Sequence, residues 1–162
     1  FAMDARRLIF RRAHELGIPV ISVGPVGFSA VLFVFSPDGM DYDTFFGLED
    51  GMTKDEMVIN FMAGIAGQGP QLKYMDVKGV DPLTGAAPSL GLACQIGSGI
   101  AATEVICMML NKRKPKYVPW FSQFDSYTGS YKRYYRWWGA KNPMQKLRLK
   151  VLKKMIPAFA DK

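Results

Sequence analysis

The sequence predicts an α/β domain, with helices packed around a sheet. Three observations predict it. A helical amphipathic pattern over residues 3–16 leads into two apolar runs of strand length, 19–23 and 30–35. Turn chemistry punctuates both runs, Gly24-Pro25-Val26-Gly27-Phe28 between them and Ser36-Pro37-Asp38-Gly39 after the second. Two more helical stretches, 54–66 and 89–110, then follow, and strands with helices on their faces make a layered α/β core. The composition allows such a core: 162 residues are 49% hydrophobic, and 22% charged residues with 13% aromatics are not a disordered mixture.

In the first helix Leu8, Ile9, Ala13 and Leu16 form an apolar face, and Arg6, Arg7, Arg11 and Arg12 crowd the other side. Gly17 is placed as the residue that ends it. The run Pro19–Val23 is apolar almost throughout, as is Ala30–Phe35. Continuous apolar strands suit burial on both faces, as in a parallel sheet. Two strands are too few for a sheet of this kind, so neighbours are expected upstream, leaving an exposed, association-prone edge at one of the two. Residues 43–48 make a short helical turn. Thr53 and Glu56 form a capping box for a helix over 54–66, with Met57, Val58, Phe61, Met62 and Ile65 inward. Residues 67–88 hold four Gly and three Pro and read as loop.

The apolar stretch 89–110 is long enough to span a membrane. Gln95 and Glu104 would be costly in lipid, and the small residues Gly91, Ala93, Gly97, Gly99, Ala101 and Ala102 allow close approach of other backbones. The stretch reads as a helix buried in a protein interior or subunit interface. Residues 117–124 form a strand whose Pro119 favours a sheet edge. Asn142-Pro143 opens a last basic helix to about Met155, with Leu147, Val151 and Leu152 inward. The chain thus divides into a helix-strand-strand part (1–36), a helical part (37–116) and a basic aromatic segment (117–162).

Charge is unevenly spread. Residues 1–110 carry seven Lys/Arg against twelve Asp/Glu, and residues 111–162 carry fourteen against two. The segment Tyr127–Trp138 interleaves rings with Lys132, Arg133 and Arg136. Such a pattern stacks bases and neutralises phosphates, or lies at a membrane surface. The favoured reading is a docking segment with buried rings and Lys/Arg stems laid over apolar surface, so nucleic acid and membrane are not the expected partners.

Candidate chemistry is sparse. His14 lies among charges with no Cys or Ser partner, and reads as a surface histidine. The acidic residues Asp38, Asp41, Asp43, Glu49, Asp50, Asp55 and Glu56 lack the spacing of a calcium loop. They read as solvated or helix-capping charges, and no metal site is expected. Cys94 and Cys107 belong to no CxxC pair, so no zinc is expected. Thirteen residues apart on one helix, they would lie about 20 Å from each other, too far for a disulfide, and read as buried thiols of a reducing compartment, hence a cytoplasmic protein. No GxGxxG follows a strand, and no phosphate-loop lysine motif is present. The chain opens on Phe1 rather than Met, which suggests a fragment.

Two stretches together resemble a known family. Arg6 to Phe35 holds a helix with an early Arg, then Gly-Ile-Pro-Val-Ile-Ser-Val-Gly-Pro-Val-Gly-Phe, then an apolar strand ending in Pro-Asp-Gly. Pro88 to Pro115 holds Ile-Gly-Ser-Gly-Ile-Ala-Ala-Thr-Glu-Val-Ile, a Met-Leu pair and a basic turn. In order and spacing they are similar to the C-terminal half of the ThiF/MoeB family, relatives of ubiquitin-activating enzymes. Ala102, Glu104 and Ile106 match the core of the second motif, and Cys107 stands where Lys is usual. The two zinc-binding CxxC pairs of that family are absent.

The resemblance implies that residues 1–162 are the C-terminal half of one ThiF-type domain, a partial doubly wound, Rossmann-like sheet with extra helices. It implies an ATP- and Mg²⁺-dependent adenylyltransferase that activates a carboxylate, typically the C-terminus of a ubiquitin-like or sulfur-carrier protein, in a homodimer. The family's glycine-rich loop, clamp residues and metal-binding aspartate precede this stretch, so no catalytic residue carries over and the 162 residues alone are not expected to be active. The residues expected near nucleotide or substrate are Arg6, Gly24, Pro25, Gly27 and Phe28, because ligands of open α/β sheets sit beyond the carboxyl ends of strands. A non-catalytic scaffold subunit, or a basic module for nucleic acid or membrane, is the alternative.

Overall fold

A computed structural model describes residues 2–66, 69–75 and 89–155 of the chain. Helix α1 (Met3–Glu15) leads into strands β1 (Val20–Val26) and β2 (Ser29–Phe35). Helices α2 (Tyr42–Phe46), α3 (Lys54–Ala66) and α4 (Gly91–Met109) come next, then strands β3 (Trp120–Asp125) and β4 (Ser130–Tyr135), and helix α5 (Pro143–Met155). Short 3₁₀ turns occupy Pro70–Lys73 and Gly139–Lys141. Most of the predicted loop, residues 76–88, lies outside the described residues.

The class is mixed α/β, built on a four-stranded antiparallel sheet in the order β1-β2-β3-β4, compatible with part of a Rossmann-like fold. The parallel arrangement expected for β1 and β2 is therefore corrected. Val26 pairs with Ser29, so Gly27 and Phe28 alone close a hairpin. Gly27 takes φ +57°, the left-handed conformation that primed hairpin turns need and that glycine adopts without strain. The continuous apolar run of β2 has another cause. Every β2 residue is buried, because the strand lies inside the sheet with helices over both faces, whereas β1 is an edge and only half-buried. The exposed edge thus falls at β1 and not at Ala30–Phe35. β3 also corrects its expectation. It sits between β2 and β4, because Pro119 precedes the first paired residue, Trp120, and its missing N–H costs no ladder bond.

Alternation along β1 separates the two layers. A Cβ placed on Gly24 would lie 3.0 Å from Ile65 of α3, while the neighbouring Val23 meets Gly97 of α4. Successive side chains point to opposite faces, so α3 and α4 lie on opposite sides of the sheet. The α3 side holds the main core, where Phe33, Phe35, Tyr42, Phe45, Phe46, Phe61 and Phe121 meet ring to ring. The predicted capping box is formed: Thr53 N–H donates to Glu56 Oε2 at 2.8 Å, and Glu56 N–H to Thr53 Oγ1 at 3.3 Å. α1 ends as expected too, with Ile18 N–H on the Ala13 carbonyl, Gly17 N–H on that of His14 and Gly17 at φ +69°.

The inward face of α1 differs from the expected one. Met3, Arg7 and Phe10 are buried, while Leu8 is 68% exposed and Ile9 and Leu16 also face outward. Arg7 reaches inward because it finds an acid there: its Nε and Nη2 grip both Asp43 oxygens at 3.0 Å. A second correction concerns α4. Only Ala93, Gly97 and Glu104 of it are buried, so within this chain it is not an interior helix. It is long and apolar enough to cross a membrane by length and composition alone. Cys94 is exposed and Cys107 partly so, against the expectation of two buried thiols.

The C-terminal segment reverses its expected pattern. Tyr127, Tyr131, Tyr135, Trp137 and Trp138 are exposed, and the buried member is the cation Arg136. Among the described residues β4 has no further strand beyond it; it presents the rings of Tyr131 and Tyr135 to solvent, while Tyr134 stacks on Phe121. In α5 the inward residues are Gln145, Leu149 and Leu152, the last two against Ile59 of α3, while Leu147 and Val151 point outward.

Candidate functional site

The expected site residues fall into two groups. Gly24 and Pro25 lie within β1, with Pro25 opposite Ala30. Gly27 and Phe28 form the hairpin turn at the carboxyl end of β1. Arg6, on α1, stacks its guanidinium 4.8 Å from the Phe61 ring centroid. Arg6 and Gly24 thus contact positions one turn apart on α3, Phe61 and Ile65. Gly27 and Phe28 instead belong to a polar cluster at the far end of the strand.

That cluster is organised by Asp125, a fully buried carboxylate at the end of β3. Its Oδ2 accepts hydrogen bonds from Ser29 Oγ and, at 2.6 Å, from the Tyr74 hydroxyl. Its Oδ1 accepts from Thr128 N–H and Thr128 Oγ1, each at 2.8 Å. Phe28 N–H donates to Tyr74 Oη at 3.1 Å, so the tyrosine bridges turn and carboxylate. The Phe28 carbonyl accepts from Ser126 N–H and Oγ, and the Gly27 carbonyl from Leu90 N–H. Rings of Phe28, Tyr74 and Tyr127 close over the turn at 4.8–5.5 Å.

The electrostatics follow from these bonds. Burial pushes the Asp125 carboxyl up, but the donors on Ser29, Tyr74 and Thr128 together outweigh it and hold the group below its ordinary value. Burial, and then the hydrogen bond to Asp125, push the Tyr74 hydroxyl up. The cluster is thus an ionised acid whose acceptor sites are filled by protein donors. It fixes the shape of the hairpin turn and leaves Asp125 no free lone pair for a base role.

Two more charged arrangements were not legible from the sequence. Arg7 and Arg11 both contact Asp43 and Asp50, tying α1 to α2 and the loop after it. Hydrogen bonding to these acids pushes both guanidinium groups up, and Arg11 holds the exposed Asp50 carboxyl down. Arg136 has no acid. Its guanidinium lies 4.6 Å from the Phe45 centroid and 4.9 Å from that of Phe121, and Nη2 donates to the Gly64 carbonyl at 2.7 Å. Burial pushes it down to about 9. Only one of these features had a local signal, the Thr placed three residues after Asp125, which suits an Asp-capped turn. His14 is exposed on α1. Among the described residues no group of three His, Cys, Asp or Glu gathers as metal ligands.

Comparison with known proteins gives one family. The model of the ThiF family matches residues 2–146. The crystal structure of SeMet PaaA is among 14 solved chains that match; it is 18% identical, with a TM-score of 0.47. The alignment covers 82% of this chain and 39% of that one, so this chain spans well under half of its length. No curated protein matches the sequence.

Proposed function

The chain belongs to the ThiF family, and from that premise we propose that it is part of an ATP-dependent adenylyltransferase that activates a carboxylate, typically the C-terminus of a ubiquitin-like or sulfur-carrier protein. Family membership gives the coarser statement, an E1-like, adenylyltransferase-related role. The observation that carries the finer one is the reach of the match: residues 2–146 take in Arg6, the Gly24–Phe28 segment and α4 together.

ATP and Mg²⁺ are proposed for the whole enzyme. The described residues do not hold them unaided. They offer no glycine-rich turn entering a helix N-terminus, the usual cradle for phosphates, and no group of three or more acids, His or Cys that could hold a metal ion. The share of this chain in the proposed reaction is positional. The Asp125 cluster holds the Gly27–Phe28 turn in one shape beyond the end of β1, and Arg6 lies over Phe61, one helical turn from the Ile65 that Gly24 faces. We propose a homodimer in the cytoplasm. The dimer is supported by the exposed apolar side of α4, and the compartment by two free cysteines.

Pyrophosphate–ATP exchange in the longer parent protein, with candidate carboxylates added, tests the proposal. Carboxylate-dependent exchange is expected. Exchange with none of them would turn the reading towards a non-catalytic scaffold subunit.

A further inference from the structure

The α4 side of the sheet holds a pocket that the proposed nucleotide reading does not use. α4 packs chiefly on β1 and β2, beside β3 and β4. In the step between them lies a small cavity of about 40 Å³, lined by Leu32, Val34 and Ser122 at its base and by Glu104, Arg113, Lys116 and Arg133 around it. Leu32, Ser122 and Arg133 stand opposite one another across three strands, so they share one face.

The charges do not balance. Glu104, almost fully buried, is gripped by Arg113 through both nitrogens, Nη1 on Oε1 at 2.9 Å and Nη2 on Oε2 at 2.5 Å. That bond pushes the Arg113 guanidinium up and fixes it at the rim. Lys116 and Arg133 have no carboxylate within ion-pair distance among the described residues. Three cations therefore face one acid that is already engaged. The buried Ser122 offers a hydroxyl at the base, 7% exposed as a residue.

We propose that this pocket is a binding site for a small oxyanion, a carboxylate or phosphate group, held by Arg133 and Lys116 with Ser122 beneath. Planar guanidinium and point-charge ammonium together suit an oxyanion, and the oriented Arg113 supplies a third donor. The site is separate from Arg6 and Gly24, whose contacts with α3 lie on the other face of the sheet.

Calorimetric titration of the 162-residue chain with inorganic phosphate and, separately, succinate, at constant ionic strength, tests the site. Saturable binding of at least one anion is expected. The double variant Lys116→Gln/Arg133→Gln should weaken it by about tenfold or more, close to 1.4 kcal/mol, with an unchanged circular dichroism spectrum, since both side chains are exposed. Preference for phosphate assigns a phosphate-bearing ligand, and preference for succinate a carboxylate. Failure of both anions to saturate, or equal binding by the double variant, overturns the proposal.

Discussion

The Tyr74 hydroxyl donates to the Asp125 carboxylate at 2.6 Å while accepting from the Phe28 N–H at 3.1 Å. One phenol thus joins the hairpin turn to the end of β3. Tyr74→Phe deletes both bonds and leaves the ring contacts with Phe28 and Tyr127. Two hydrogen bonds, one to a charged group, are worth about 2–4 kcal/mol together before water repairs the exposed side, so a loss of about 2 kcal/mol is expected in urea denaturation. A change under about 0.5 kcal/mol would show that the bridge contributes nothing to stability.

Acid should act through the same residue. The folded-state value of Asp125 lies below its ordinary one, so its ionised form favours folding. The sign follows: this stability is present above the unfolded value near 3.9 and is lost as pH falls through the lower, folded value. Asp125→Asn removes that dependence. The wild-type chain should therefore lose melting temperature more steeply below about pH 4 than the variant does. Parallel melting curves across that range would remove Asp125 as the acid-sensitive group.

How much of this was legible is clear from α1 and α3. The capping box of Thr53 and Glu56 is local chemistry, three residues apart, and it formed as read. The inward face of α1 is not local. Periodicity selected Leu8, Ile9 and Leu16, but Arg7 turns inward to Asp43, 36 residues later, and Met3 and Phe10 go with it. No window of one helix contains that partner. Apolar runs found β1 and β2 but could not set their direction, since β2 is buried whichever way its neighbours run. The Gly27 turn held that information. The candidate site was legible as a turn and illegible as a cluster, because Ser29, Tyr74 and Asp125 come from three distant segments.

Arg136 is 1% exposed, and its Nε and Nη1 have no hydrogen-bond partner among the described residues. Its stabilising contacts are two aromatic faces and one carbonyl. Arg136→Ala empties that volume and should cost about 3 kcal/mol, within the range for deleting a large core side chain. Arg136→Met keeps most of the volume and removes a charge whose burial opposes folding, so it should cost less than about 1 kcal/mol. Chemical denaturation of both variants checks the difference. Equal losses would mean that the charge itself, and not its bulk, holds β4 to the core.

Gly97 lets α4 lie close to β1. A Cβ there would sit 2.5 Å from Val23 Cγ1, and Val23 is β-branched and cannot swing aside freely. Gly97→Val should push the helix off the sheet and cost about 1–3 kcal/mol, as overpacking does. Gly99 has open space at the same atom, so Gly99→Ala on the same helix should be neutral or stabilising by up to about 1 kcal/mol. Thermal melts of the pair separate a close-contact effect from a helix-propensity effect. A milder change at Gly97 than at Gly99 would contradict the packing described.

The outward side of α4 bears on the proposed dimer. Val105, Ile106, Met109 and Leu110 are all exposed, Met109 by 80%, and they crowd the last turn and a half of the helix. Apolar groups this close together form a patch whose removal from water is worth roughly 25 cal/mol per Å². If two copies meet there, a charge at the centre of the patch must be stripped of water in both partners, which costs several kcal/mol. Ile106→Asp should therefore shift sedimentation from dimer to monomer and raise the dissociation constant by at least about a hundredfold, or 2.7 kcal/mol. The side chain faces solvent in the single chain, so its fold is left intact, and circular dichroism reads that directly. A wild-type chain that is already monomeric at high micromolar concentration would remove α4 as a self-association surface for these 162 residues.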